Sequence, residues 1–138
     1  MVDDLVYSNS LNDTDFEVLI FPKLISKIKE FHKFKELYKL VTEKGLRVVF
    51  RYFKEERKHE IFFEVGFDIC DINGKTIAPT SDDPKEYYYD LGELISYPHG
   101  AHYSKKRKKL TIIEDDDELY GDCLAIIDYL KNAYNGCQ

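Results

Sequence analysis

The sequence predicts an α+β domain: an antiparallel sheet of three to five strands, with an N-terminal and a C-terminal amphipathic helix packed mainly on one face. Two observations lead to this class. Apolar residues recur at three- and four-residue steps near both ends of the chain, and they alternate with polar residues between residues 46 and 70. With 138 residues, the chain predicts a single globular domain, residues 1–138, in which residues 1–12 are a candidate flexible segment.

The first helix is predicted over residues 21–45. Pro22 suits its first turn and Gly45 suits its C-terminal cap, while lysines fill the side opposite the apolar residues. The apolar stripe consists of Leu24, Ile28, Phe31, Phe34, Tyr38 and Val41. Two alternatives stay open for the residues before Pro22: Thr14 and Glu17 form the capping box of a short helix, or residues 16–21 form a strand.

Residues 46–72 predict a long antiparallel hairpin, because apolar and polar residues alternate in both of its arms. The predicted inward rows are Leu46, Val48, Phe50 and Tyr52 in one arm and Ile61, Phe63, Val65, Phe67 and Ile69 in the other. Setting Lys54 opposite His59 aligns these rows. The same register brings Arg47 and Arg51 near Glu64 on the reverse face, where they neutralise it.

The second half of the chain predicts a turn, a short helix, a strand and a long helix. Asn73-Gly74 is a hairpin turn signal. A short helix is predicted through residues 91–96, ended by Pro98, with the rest of residues 78–104 as loop or edge strand. Residues 108–113 predict a short strand and residues 119–136 an amphipathic helix. The apolar face of that helix consists of Leu119, Cys123, Ile126, Ile127, Leu130 and Tyr134.

Residues 105–118, "KKRKKLTIIEDDDE", place five positive charges before and five negative charges after a short apolar core. We interpret the acids as the N-terminal charges of the last helix, where unpaired amides and the helix dipole favour them. The basic residues are predicted at the entry of an edge strand, where lysine discourages unwanted strand pairing. Two alternatives are a bipolar docking patch and a signal of the nuclear-localisation type.

Composition narrows the function classes. No apolar run is long enough for a membrane span, and the acidic N-terminus does not resemble a signal peptide. Three cysteines without CxxC spacing suit a reducing compartment, so we expect a cytoplasmic protein. A net charge of −6 disfavours generic nucleic-acid binding, which needs a dominant basic face. An acidic surface instead attracts a basic protein partner.

The sequence contains no phosphate-loop, GxSxG, HExxH or paired CxxC motif. His99 and His102 are the best metal candidates, but no third ligand is near them in sequence. Glu64 and Asp68 share a strand face yet stand about 13 Å apart, too far for a two-carboxylate mechanism. We therefore expect no catalytic residue, no metal and no cofactor.

Residues 81–90, "SDDPKEYYYD", are the most distinctive candidate for binding, because three tyrosines are bracketed by acids. Tyrosine is enriched at binding hot spots, and carboxylates pair with Arg and Lys of a basic partner. We predict a protein-binding inhibitor, an immunity protein or antitoxin that neutralises a basic toxin enzyme such as a nuclease. The candidate contacts are Asp82, Asp83, Glu86, Tyr87, Tyr88, Tyr89 and Asp90, with Asp115, Asp116 and Asp117 as a second patch.

Two other function classes remain open. One is a small enzyme, with or without a metal, that acts on phosphodiesters through His99, His102 and the adjacent basic run Lys105–Lys109. The other is a subunit of a larger assembly that uses the partly apolar face of Val49, Phe53 and Phe62.

Overall fold

A computed structural model describes residues 2–6, 13–77, 94–132 and 134, and five strands in these residues form one antiparallel sheet. The strands are β1 (Val2–Val6), β2 (Arg47–Arg57), β3 (Glu60–Cys70), β4 (Ile95–Ser104) and β5 (Lys109–Glu114). Their order across the sheet is β1-β5-β4-β3-β2. The helices are α1 (Asp13–Asp15), α2 (Phe21–Glu30), α3 (His32–Glu43) and α4 (Asp116–Asn132). The predicted α+β class is confirmed.

The helices pack on one face of the sheet, called here the inner face. All five predicted inward residues of β3, from Ile61 to Ile69, are buried there. In β2 the predicted inward residues Val48, Phe50 and Tyr52 are only half-buried, because β2 lies at the edge of the sheet. Phe16, which precedes α2, stacks on Phe63 at a ring-centroid distance of 3.9 Å. The core therefore joins the N-terminal helices to the centre of the sheet.

The β2–β3 hairpin turns at Lys58 and His59, with Arg57 opposite Glu60. The predicted pairing of Lys54 with His59 is wrong, since Lys54 stands opposite Phe63. The pairing differs by four residues, an even number, so the predicted inward rows still share one face. The charged residues near the turn belong to the strand, and Arg57 pairs with Glu55 at 3.3 Å on its surface.

The predicted first helix is two helices, because Phe31 adopts an extended conformation with φ −69° and ψ 129°. This break lets α2 pack against β3 while α3 packs against β2 and α4. A single straight helix has one apolar stripe and would not reach all three elements. Of the predicted stripe, Tyr38 is the exposed member.

The segment before α2 is helical, so the strand alternative is wrong; the helix begins at Asp13, and Thr14 therefore lies inside it rather than at the N-cap of the predicted capping box. Phe16–Ile20 forms a π-helical turn in which the Phe21 N–H donates to the Phe16 carbonyl. Pro22 follows in the first turn of α2. Proline lacks an N–H and its ring crowds the preceding turn of an α-helix, so the wider π turn accommodates it without ending the helix.

Residues 95–104 form a central strand, so the predicted short helix at residues 91–96 is wrong where the structure describes it. Pro98 and Gly100 lie inside β4, and the β3–β4 register shifts between Val65 and Phe67. This irregularity absorbs the proline, which normally avoids central strands. Gly100 is required there because a Cβ on it would lie 2.4 Å from the Phe63 carbonyl oxygen.

The strand and the helix predicted from the charged segment 105–118 are confirmed as β5 and the start of α4. Its basic residues, however, do not lie on an edge strand. Residues 105–108 form the turn between β4 and β5, and β5 is not an edge strand because β1 pairs with it. The prediction that these lysines discourage unwanted pairing of an edge strand is therefore wrong. None of the helices in the described residues is both long and apolar enough to cross a membrane.

Candidate functional site

The sheet face opposite the helices, called here the outer face, holds a groove of about 470 Å³. Gly100 forms part of its lining and stands opposite Glu64 in β3 and Ile113 in β5. Because glycine has no side chain, no Cβ fills the groove at Gly100. Other lining residues are Glu55, Arg57, Phe62, Tyr97, Pro98, Asp115 and Glu118. We call this the acidic groove.

Four carboxylates line the acidic groove: Glu55, Glu64, Asp115 and Glu118. Arg57 is the one arginine or lysine that lines it among the described residues, and Arg57 already pairs with Glu55 at 3.3 Å. The other three carboxylates, Glu64, Asp115 and Glu118, therefore give their part of the groove a negative potential.

The pKa of Glu118 reports that potential. Partial burial raises it above its ordinary value, and the negative charges of Asp122, Asp115 and Glu64 raise it further. A neighbouring like charge disfavours ionisation and so raises the pKa of a carboxyl group. The contributions of Glu64 and Asp115 therefore indicate that both carboxylates lie close enough to Glu118 to interact with it. A cation placed in the groove would relieve this repulsion.

Aromatic side chains flank the groove. Phe62 stacks on His102 with ring centroids 4.6 Å apart, and the Arg57 guanidinium lies 5.1 Å from the Phe62 centroid. Phe53 contacts Tyr97 at 4.9 Å and remains 57% exposed. No helix of the described residues lies over these rings, so the partly apolar outer face expected for Val49, Phe53 and Phe62 is observed.

Tyr97 is fixed by an ion pair below it. The Arg51 guanidinium contacts the Asp68 carboxylate at 2.7 Å, and the Tyr97 hydroxyl donates to Asp68 at 3.5 Å. Burial and the Asp68 charge raise the pKa of Tyr97 to about 12. The predicted neutralisation of Glu64 by arginine is wrong for Arg51, which pairs with Asp68 and leaves Glu64 exposed.

The second predicted patch, Asp115 to Asp117, lies where the last helix begins. Asp115 caps α4: its side chain accepts the Glu118 N–H at 2.9 Å. Asp116 and Asp117 are exposed in the first turn. The structure brings Asp115 into the acidic groove, whereas Asp116 and Asp117 do not line it. The first predicted patch, Asp82, Asp83, Glu86, Tyr87, Tyr88, Tyr89 and Asp90, lies outside the described residues.

The two histidines proposed for metal binding or acid–base catalysis do not share a site. They lie three residues apart on β4, so they point to opposite faces of the sheet. His99 is 3% exposed, its Nδ1 accepts the Asp115 N–H at 3.2 Å, and burial lowers its pKa. His102 contacts Glu60 at 2.9 Å on the outer face. Within the described ranges, no group of three or more His, Cys, Asp or Glu side chains could hold a metal ion.

Sequence reasoning missed Glu118 and Tyr97 as members of this site and treated Glu64 as neutralised. The capping pattern Asp115-x-x-Glu118 was a readable signal, because it places two carboxylates at one helix start. No comparable signal marks Tyr97, whose position depends on the strand order.

Comparison with protein-family models, with curated proteins and with solved structures finds no match for this chain. The functional proposal therefore rests on the chain's own residues, chiefly those of the acidic groove.

Proposed function

We propose that the protein is a protein-binding inhibitor without catalysis of its own, an immunity protein or antitoxin that neutralises a basic toxin enzyme such as a nuclease. The observation that carries this proposal is the acidic groove, in which Glu64, Asp115 and Glu118 share an open depression flanked by aromatic rings. The proposal places the protein with its toxin in the cytoplasm.

Charge complementarity supports a basic partner. A nuclease must hold phosphates, so its active site presents arginine and lysine side chains. An inhibitor that offers carboxylates can pair with those side chains and block access to the substrate. Burial raises the pKa of Glu118, and the negative charges of Asp122, Asp115 and Glu64 raise it further; an incoming cation would reduce this repulsion between carboxylates.

Aromatic contacts support a protein rather than a free cation as the occupant. Phe53, Phe62 and Tyr97 lie beside the carboxylates on a sheet without helical cover in the described residues. Exposed rings next to charges are typical of binding hot spots, where they supply contact area at little entropic cost. Arginine of a partner can stack on such rings while it pairs with Glu64.

The test is affinity capture from a lysate of the native host, followed by enzyme titration. The baits are the wild-type protein, the groove variant Glu64→Gln/Glu118→Gln and the control variant Glu36→Gln/Glu43→Gln, whose changes lie on the exposed surface of α3. We expect one basic protein on the wild-type and control baits, released by salt and much reduced on the groove variant. Its enzymatic activity should fall to zero at a one-to-one ratio with wild-type protein.

Two results would contradict the proposal. One is a captured enzyme that stays active when saturated with the wild-type protein. The other is capture that is equally strong on the wild-type and groove-variant baits, since binding would then not use the acidic groove.

A further inference from the structure

A second depression lies on the inner face, on the far side of the sheet from the acidic groove. It has a volume of about 560 Å³ and is lined by Lys29, Phe34, Lys35, Tyr38, Val48 and Phe50. The last turn of α2, the start of α3 and the edge strand β2 therefore enclose it. We call it the aromatic cleft.

The cleft presents the rings of Tyr38 and Phe50, which the core covers only in part, beside the core ring of Phe34. Phe34 is buried and contacts Phe50 at 5.7 Å and Tyr38 at 6.2 Å between centroids. Tyr38 is 53% exposed, and Phe50 and Val48 are half-buried. The volume lies in the range of about 300–1,000 Å³ that small-molecule sites occupy, and three rings with one valine give a mostly apolar lining.

The charge of the cleft is opposite to that of the whole chain. Lys29 holds its ammonium 5.3 Å from the centroid of the Phe50 ring, and Lys35 is exposed at the start of α3. Neither lysine forms an ion pair with any residue of the described ranges, and no carboxylate lines the cleft. The first turn of α3 also contains no acid, and Phe31 supplies no side-chain cap to it.

These features together favour a ligand with two parts. Apolar rings favour a flat apolar body, which stacks on them at little cost in conformational entropy. Two ammonium groups beside that lining favour a negative group on the same ligand, since each can donate a charge-assisted hydrogen bond. A cation or a neutral polar compound would leave one part of the cleft unmatched.

We propose that the aromatic cleft binds a small aromatic carboxylate, with its ring on Phe34, Tyr38 and Phe50 and its carboxylate between Lys29 and Lys35. This site is independent of the acidic groove, because it lies on the opposite face and has the opposite charge. The protein can therefore bind such a ligand while the acidic groove stays free.

The test uses 2-naphthoate as probe and 2-naphthylmethanol, its neutral counterpart, as a matched ligand. Binding is measured by calorimetry and by backbone amide shifts in nuclear magnetic resonance spectra. The cleft variant Lys29→Gln/Lys35→Gln is compared with the control variant Lys23→Gln/Lys39→Gln, which removes two exposed lysines from the same helices outside the cleft. Glutamine has nearly the helix propensity of lysine, so both variants should fold.

We expect naphthoate to bind wild-type and control proteins alike, with shifts at Phe34, Tyr38 and Phe50. The cleft variant should bind it about tenfold more weakly, since each exposed ion pair contributes only modestly. The alcohol should bind both variants equally. Absence of saturable naphthoate binding to the folded wild-type protein would overturn the proposal. Equal affinity for acid and alcohol, or equal losses in the two variants, would do so as well.

Discussion

Gly66 and Gly100 lie where β3 and β4 approach each other too closely for a side chain. A Cβ on Gly66 would come within 1.8 Å of the Ser96 carbonyl oxygen, and one on Gly100 within 2.4 Å of the Phe63 carbonyl oxygen. Both neighbours are backbone atoms, which move only if the sheet moves. Gly100 also lines the acidic groove, so the close approach of the strands and the shape of the groove depend on the same residue there.

We predict that Gly100→Ala reduces the free energy of unfolding by about 2–4 kcal/mol, because the strands must separate to admit the methyl group. Urea denaturation measures this loss. Gly121→Ala is the matched control: Gly121 is in α4 with open space around it, so alanine should stabilise the protein by about 0.5–1 kcal/mol. Equal effects of the two substitutions would show that β3 and β4 are not this close.

His99 predicts a pH dependence of stability. Burial lowers its pKa from the ordinary 6.5, so the folded protein keeps the imidazole neutral at a pH where the unfolded chain protonates it. The stability contributed above pH 6.5 is therefore lost as pH falls from there toward the folded pKa. The raised pKa values of Glu118 and Asp122 act in the opposite direction, because these carboxyls bind protons more readily in the folded state.

Comparison of variants separates these contributions. Between about pH 7 and about pH 5, the wild-type protein should lose more unfolding free energy than His99→Gln, as measured by urea denaturation at each pH. His32→Gln, which changes an exposed imidazole, should behave like the wild-type protein. A wild-type slope that survives in His99→Gln would assign the dependence to another group.

For single residues, the sequence predicted which apolar side chains are buried, but it did not predict where two strands approach each other too closely for a side chain. The apolar positions Leu119, Cys123 and Ile126 follow from helical spacing and are fully buried. Nothing local marks Gly100 as a contact point, because the atom that excludes a side chain there belongs to Phe63, 37 positions earlier in the chain.

Among the elements, α4 begins after one residue that both caps it and lines the acidic groove. Asp115 accepts the Glu118 N–H and also lines the acidic groove. Serine at this position preserves a capping oxygen without charge, whereas alanine removes both.

We predict that Asp115→Ala reduces the free energy of unfolding by about 1 kcal/mol and that Asp115→Ser changes it by less than half as much. Both should weaken partner binding to a similar extent, since both remove the charge. Thermal denaturation and titration of the captured enzyme give the two readouts. Full binding by Asp115→Ser would remove this carboxylate from the interface.

Elements defined by periodicity were predictable, and those defined by packing were not. The hairpin arms and the last helix follow from alternation and helical spacing. The break at Phe31 does not, because the apolar stripe continues through it and only contacts with β3, β2 and α4 require the change of direction. The residues of β4 were predicted as the end of a short helix followed by loop or edge strand, since Pro98 and Gly100 normally avoid a central strand, and a register shift compensates for them.

Within the described residues, charges of opposite sign lie at the two ends of β5. The basic turn at residues 105–108 lies at one end of β5, and the acids that start α4 lie at the other. β5 has six residues, so about 20 Å separates the two groups. Such a charge distribution orients an approaching basic protein toward the acidic end.

We predict that the triple substitution Asp82→Lys/Asp83→Lys/Glu86→Lys slows association with the captured enzyme and makes the association rate less dependent on salt. The reason is that reversing charges on a binding surface removes long-range attraction. Stopped-flow mixing measures the rate, and the melting temperature should be unchanged. An unaltered rate would exclude these three residues from the binding surface.

The sequence indicated the chemistry of the candidate site but not its assembly. Acids at the start of α4 were predicted from the charge run alone. Their meeting with Glu64 and Tyr97 depends on β4 lying between β3 and β5, and that order follows from long-range pairing that periodicity does not reveal.

The association rate of the captured enzyme with the wild-type protein, the groove variant and the control variant, measured from low to high salt, tests the central claim most directly. If the acidic groove is the binding site, the wild-type and control rates fall steeply with salt. The groove variant should then start at least about fivefold slower at low salt and depend on it less. Three curves that coincide would contradict the claim, because the partner would then bind elsewhere.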